Sequence, residues 1–242
     1  MTGPVALHGG GEFLPGDEAF LLAILRLAPR VGGTARVAVV PTAAARGRPD
    51  LAASHGVDAF RRVAAEASIA VVVEPIRVVD AASAADESLA ERLATADLIH
   101  LPGGDPDLIP TLYPGTAAWA AMQRAHASGA VLAGASAGAM ALAAWTWTPG
   151  GGVRGLGVVP GIGVAPHADA ETWDRAVARY GAAVPPDLGF IGLAERTGVI
   201  VPASEREPWR VVGQGEARWL SAAARAAGDP PVVAADGETI DP

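Results

Sequence analysis

Ser136 stands in the run VLAGASAGAMALAAW (131–145), framed by Gly134 and Gly138 as G-x-S-x-G. At a strand-to-helix junction this pattern puts a serine hydroxyl on a sharp turn. The first amides of the helix then point at whatever the hydroxyl attacks, an arrangement suited to acyl transfer. Gly, Ala and Ser are abundant in the chain, so the pentapeptide alone fits a buried small residue as well as a nucleophile. A nucleophilic serine needs a base. The five histidines are His8, His55, His100, His126 and His167. His55 and His126 fall on helical stretches, His100 falls inside an apolar strand, and His8 ends the first apolar run. His167 closes the apolar segment GLGVVPGIGVAP (155–166) before a polar helix start, and it is the preferred base. The base needs an acid to orient it. No Asp or Glu lies between Ser136 and His167, and no histidine follows His167. The Ser, acid, His order of the α/β-hydrolases is therefore excluded. Asp169, Glu171, Asp174, Asp187 and Glu195 follow the histidine. Asp169 lies two residues from His167 and would equally cap a helix. Glu195 ends another apolar run, FIGLAE (190–195). Position leaves these two open.

Such a site has to be assembled by strand ends. Short apolar runs at 5–11, 35–44, 69–76, 97–104 and 130–135 alternate with helical spacing at 17–28, 48–67, 86–96 and 116–129. Near-continuously apolar strands separated by helices predict an α/β fold. The sheet should be doubly wound and mostly parallel, with helices on both faces, in a single domain over 1–242. Farther on, GVIVPA (198–203), WRVVGQGEARWL (209–220) and PPVVAAD (230–236) read as C-terminal antiparallel hairpin strands that extend or cap that sheet. Ligands bind such sheets outside the carboxyl ends of the strands. Three small-residue loops should open there: HGGGE (8–12), LPGGDP (101–106) and GASAG (134–138). The first is no dinucleotide fingerprint, because Leu14 stands where the last glycine is needed, and a chain without lysine has no P-loop.

Composition narrows the chemistry further. A net charge of −8 argues against a nucleic-acid partner and an acidic membrane surface. The absence of cysteine excludes disulfides, thiolate metal sites and a Cys nucleophile, and the absence of lysine excludes Schiff-base and Ser-Lys chemistry. The uncharged stretch around Ser136 is interrupted by Gly134, Gly138, Pro149 and Gly150–Gly152, so no membrane span is expected. The start, MTGPVALHGGG, lacks a basic segment followed by an apolar one, so no export signal is expected either. The expected protein is cytoplasmic, without metal or cofactor. Its partner is a small peptide substrate, and it is a monomer or homodimer.

Together these motifs resemble peptidase family S51, which comprises the cyanophycinases and the Asp-specific dipeptidase peptidase E. That family has the class I glutamine amidotransferase-like fold, with serine replacing the amidotransferase cysteine. GASAGA (134–139) is similar to the family's serine motif, PGGD (102–105) to its glycine motif, and GLGVVPG…APH (155–167) to its histidine segment. GLAERT (192–197) resembles its GIDE-x-T segment, and HGGGE resembles the early glycine motif of the cyanophycinase branch. The resemblance covers most of the chain. It implies Ser136 as nucleophile, His167 as base and Glu195 as acid, with Asp169 the second choice. The oxyanion donors it implies are the Ala137 amide and the Gly103–Gly104 loop. The dipeptidase's own Ser-Asp-His order has no counterpart here. Pro106 replaces the glutamine usual in cyanophycinases, and only Arg175 and Arg179 follow the histidine closely. ETWDR (171–175) looks instead like the stretch after the dipeptidase's histidine, which implies Arg175 as a carboxylate clamp; Asp105, which ends PGGD, is the other expected substrate-binding residue. The implied activity is a serine peptidase on short peptides with Asp at the scissile bond. The alternatives are a cyanophycinase-like isopeptidase or related amide hydrolase, and a non-catalytic amidotransferase-like binding domain.

Overall fold

The computed structural model describes residues 2–29, 31–181, 184–204 and 206–242. In its first half, strands and helices alternate: β1 (Val5–His8), α1 (Glu18–Leu27), β2 (Ala35–Val39), α2 (Pro49–Glu66), β3 (Val71–Pro75), α3 (Ala81–Ala84), α4 (Glu87–Ala94), β4 (Leu98–Leu101), α5 (Leu108–Leu112), α6 (Ala117–Ala127) and β5 (Val131–Ala135). Local chemistry sets several of these boundaries. Pro49 opens α2, where its missing N–H costs nothing. Asp86 caps α4 by accepting the Ser88 and Leu89 amides, and Thr116 caps α6 by accepting that of Trp119. The second half contains α7 (Ala137–Leu142), β6 (Ala143–Thr148), β7 (Gly151–Arg154), β8 (Val159–Ala165), α8 (Trp173–Arg179), β9 (Gly189–Leu193), β10 (Thr197–Val201), β11 (Trp209–Gly213), β12 (Ala217–Leu220), α9 (Ala222–Ala227), β13 (Val232–Ala234) and β14 (Thr239–Ile240).

The main sheet runs β14-β11-β10-β1-β5-β4-β2-β3, with β1, β5, β4, β2 and β3 parallel and β10, β11 and β14 antiparallel at one side. Every residue of β1, β4 and β5 is buried, the pattern of strands covered on both faces. On one face Phe20 and Ile24 of α1 and Phe60 and Val63 of α2 pack on Val37, Val39, Leu98 and Ala133. On the other, Leu93, Trp119 and Met122 pack over Ile99, Leu101 and Leu132. Each such large side chain contributes roughly 1.5–3 kcal/mol by leaving water. The doubly wound α/β class is the one the sequence predicts.

A second sheet, β13-β12-β9-β8-β6-β7, departs from the expectation of one extended sheet. Its inner face (Ile162, Val164, Ile191, Leu193, Trp219) joins the same core as Ile99 and Leu101 of the main sheet. Its outer face (Trp145, Ala165, Phe190, Leu220) lies under α8 and α9. Residues 209–220 are accordingly not a hairpin. β11 stays in the main sheet, and β12 pairs with β9 and β13 in the second. The crossing is at Gly213 (φ 137°), where a Cβ would stand 2.1 Å from the Arg196 carbonyl oxygen. Among the described residues, no helix is long and apolar enough to cross a membrane. The apolar run 131–145 is divided between β5, α7 and the start of β6.

Candidate active site

Ser136 sits between β5 and α7 with φ 49° and ψ −112°, a conformation a non-glycine residue adopts only under constraint. The constraint is close packing of strand against helix. A Cβ on Gly138 would lie 2.0 Å from the Leu101 carbonyl oxygen, and one on Gly134 would lie 2.5 Å from the Gly138 backbone. The small residues of the pentapeptide are thus required by the turn. Ser136 is half-buried at that turn, while every residue of α7 after it is buried.

The Ser136 hydroxyl lies 3.0 Å from His167 Nε2, and His167 Nδ1 lies 3.0 Å from Glu195 Oε1. The three side chains come from three strand ends: β5, β8 and β9. β8 and β9 are parallel neighbours in the second sheet, with Ala165 opposite Gly192, so their following residues emerge side by side. Three consecutive carbonyls then fix the three segments. His8 O accepts the Ser136 amide at 2.9 Å, Gly9 O accepts the His167 amide at 2.8 Å, and Gly10 O accepts the Arg196 amide at 2.7 Å. A Cβ on Gly10 would stand 2.3 Å from His167 Cε1, so the imidazole rests directly on this glycine. The Thr172 hydroxyl donates to the His167 carbonyl at 2.7 Å and completes the ring's support. The HGGGE loop therefore acts as a jig for all three site segments as well as bordering the site.

Asp169 does not meet the imidazole. Its Oδ1 accepts the backbone amide of Glu195 at 3.2 Å and so holds the residue that does. Of the amides implied as oxyanion donors, that of Gly103 donates to Glu12 Oε1 at 2.7 Å. Those of Ala137 and Gly104 have no acceptor among the described residues. Asp105 lies 3.6 Å from Arg46, which also pairs with Asp107 at 2.9 Å. Arg175 lines a recess of about 300 Å³ with Pro166, His167, Thr172, Arg179 and Tyr180. Arg179 is stacked over Trp147 at 4.3 Å, whereas Arg175 has no carboxylate within 4.0 Å among the described residues. Two larger recesses, about 540 and 720 Å³, open near Thr2 and Pro202 at the far ends of the strands and hold none of these groups. Among the described residues no cluster of His, Asp and Glu suited to a metal ion occurs.

The other histidines stand apart. His55 is exposed on α2 and His126 half-buried on α6. His100 is buried in β4 without a partner for either ring nitrogen, and burial pushes its pKa down to about 3. His8 is buried, with Nε2 3.0 Å from Asp17 Oδ1 and Nδ1 accepting the Gly10 amide at 3.3 Å. Nδ1 is the hydrogen-bonded nitrogen, whereas Nε2 lies beside the carboxylate out of line for a hydrogen bond. The pair braces the glycine loop from behind. Residue types gave no hint of this role for Asp17, nor of the Glu12 contact, although HGGGE places a carboxylate directly after the glycines.

The model of peptidase family S51 matches residues 5–203. No curated protein matches the chain. A solved peptidase from an acI-B1 Actinobacterium is 25% identical with a TM-score of 0.81, over 99% of this chain and 97% of that one. A candidate peptidase E protein from Listeria monocytogenes EGD-e shares the fold at 15% identity and a TM-score of 0.58, over 89% of this chain and 99% of that one.

Proposed function

Since the chain belongs to peptidase family S51, a family of serine peptidases, we propose that Ser136, His167 and Glu195 form its catalytic triad and that it cleaves short peptides with Asp at the scissile bond. The observation that carries the reading is the hydrogen-bonded line from Ser136 Oγ through His167 to Glu195, beside two unoccupied amides.

His167 Nε2 takes the Ser136 proton as Oγ attacks the peptide carbonyl. The developing oxyanion is held by the amides of Ala137 and Gly104, donors fixed before reaction begins. Glu195 keeps the proton of the neutral ring on Nδ1 and stabilises the imidazolium that forms. His167 then protonates the leaving amine, and the acyl group stays on Ser136 as an ester. Water, activated by the same imidazole, releases the acid and restores the serine. His167 and Glu195 are both solvent-exposed, so this water reaches the site directly.

Arg175 supports the acidic specificity. A guanidinium binds a carboxylate through two parallel donors, and this one lines the recess beside His167 with no carboxylate within 4.0 Å among the described residues. The test is hydrolysis of Asp-Leu and Ala-Leu. Ser136→Ala is expected to abolish both. Arg175→Ala is expected to lower kcat/KM for Asp-Leu by about ten- to a hundredfold, the worth of a charged hydrogen bond, with little effect on Ala-Leu. Equal loss on both substrates would remove Arg175 from specificity.

A further inference from the structure

We propose that Glu12 is the residue that binds the α-ammonium group of the substrate. The inference rests on the peptidase reading above and adds a second recognition element to it. Glu12 lies in the loop between β1 and α1, half-buried, with Oε1 fixed by the Gly103 amide at 2.7 Å. It stands next to the nucleophile. A methyl placed on Gly103 would collide with both groups, 2.9 Å from Glu12 Oε1 and 3.1 Å from Ser136 Cβ, so carboxylate and serine lie against the same face of Gly103.

This carboxylate has no cation of its own. Among the described residues, no Arg or His nitrogen lies within 4.0 Å of it, and its second oxygen accepts no hydrogen bond. A half-buried, oriented carboxylate costs free energy unless a positive group completes it. None of the described residues supplies one, and a peptide substrate can. In an N-terminal residue the α-nitrogen is only about 2.5 Å from the carbonyl carbon that the serine attacks, two bonds away. A group that reads this nitrogen must therefore sit within a side chain's reach of Ser136, as Glu12 does. Glu12 has no place in the proton relay, because Nε2 and Nδ1 of His167 are engaged by Ser136 and Glu195. With Gly103 occupied by Glu12, the oxyanion falls to Ala137 and Gly104.

The experiment compares Asp-Leu with N-acetyl-Asp-Leu for the wild type and for Glu12→Gln. Glutamine can still accept the Gly103 amide but carries no charge, so the loop keeps its support. The wild type is expected to favour the free amine strongly. Glu12→Gln should lower kcat/KM for the free peptide by about ten- to a hundredfold, mostly through KM, so that the preference collapses. Equal loss on both peptides would show that Glu12 only supports the Gly103 loop. A gain on both would show that it obstructs an oxyanion donor. Either result overturns the inference while leaving the peptidase reading intact. If the wild type hydrolyses neither peptide nor any other in a panel of free and blocked dipeptides, the Asp-dipeptidase reading falls and this inference falls with it.

Discussion

Glu195 and Asp169 lie on the two strand-end loops that meet at His167, yet only Glu195 reaches the ring, at 3.0 Å, while Asp169 holds the Glu195 amide at 3.2 Å. This division of labour predicts unequal mutants. Glu195→Gln disturbs the imidazole tautomer and should cost two or more orders of magnitude in kcat, as loss of a triad acid does, up to about 10⁴-fold. Asp169→Asn keeps an oxygen for the Glu195 amide and should cost less than about tenfold. Steady-state kinetics on Asp-Leu decides between them, and the reverse order would move the acid to Asp169. The pairing of Ser136 with His167 could be read from the sequence because each ends an apolar strand-like run before a helix start, and the other histidines do not follow the serine. Choosing between Asp169 and Glu195 by position required knowing that β8 and β9 run side by side, which no local pattern encodes. Glu12 could not be read because a carboxylate ahead of a helix is ordinarily a helix-start residue.

Among the elements, β1 and the loop after it do the most positioning, since three successive carbonyls, those of His8, Gly9 and Gly10, hold the three site segments. β4, two strands away, carries a different burden. His100 is fully buried against Phe13 and Phe60, with ring centroids 5.1 and 5.6 Å away, and both its nitrogens lack partners. Burial, and secondarily the nearby His8, depress its pKa from 6.5 to about 3. Between those values the unfolded chain binds a proton that the folded chain refuses. The stability associated with neutral His100 is therefore present above pH 6.5 and is lost as pH falls toward about 3. His100→Leu removes both the unpaired nitrogens and the titration. It should flatten the fall of Tm between pH 7 and 4.5 relative to wild type, as thermal unfolding would show. An unchanged slope would mean that His100 does not contribute. The parallel strands were legible because alternating helices and apolar runs leave few other topologies. The second sheet was not. β9 and the second half of β8 are as apolar and as buried as the main strands, so apolarity cannot say which sheet they join.

Across the whole molecule, the two sheets share one core, with Leu101 and Ile99 of the first packed in the same cluster as Ile162, Ile191 and Trp219 of the second. The site lies at this junction, with Ser136 contributed by the main sheet and His167 and Glu195 by strands of the second. We expect the chain to unfold as one unit. Trp119 reports on the helical side of the main sheet, and Trp145 and Trp219 report on the second sheet. Urea transitions followed by tryptophan fluorescence and by far-ultraviolet circular dichroism should coincide, and two separated transitions would argue for two domains. The shared core also explains why the relay needs both sheets in register: a shift of about 1 Å between them would break a 3.0 Å contact. The most direct test of the central claim is reaction with a fluorophosphonate, followed by mass mapping of the modified peptide. A single adduct on Ser136 is expected, absent in Ser136→Ala and at least a hundredfold slower to form in His167→Ala. An adduct on another serine, or active peptide hydrolysis with no adduct on Ser136, would contradict it.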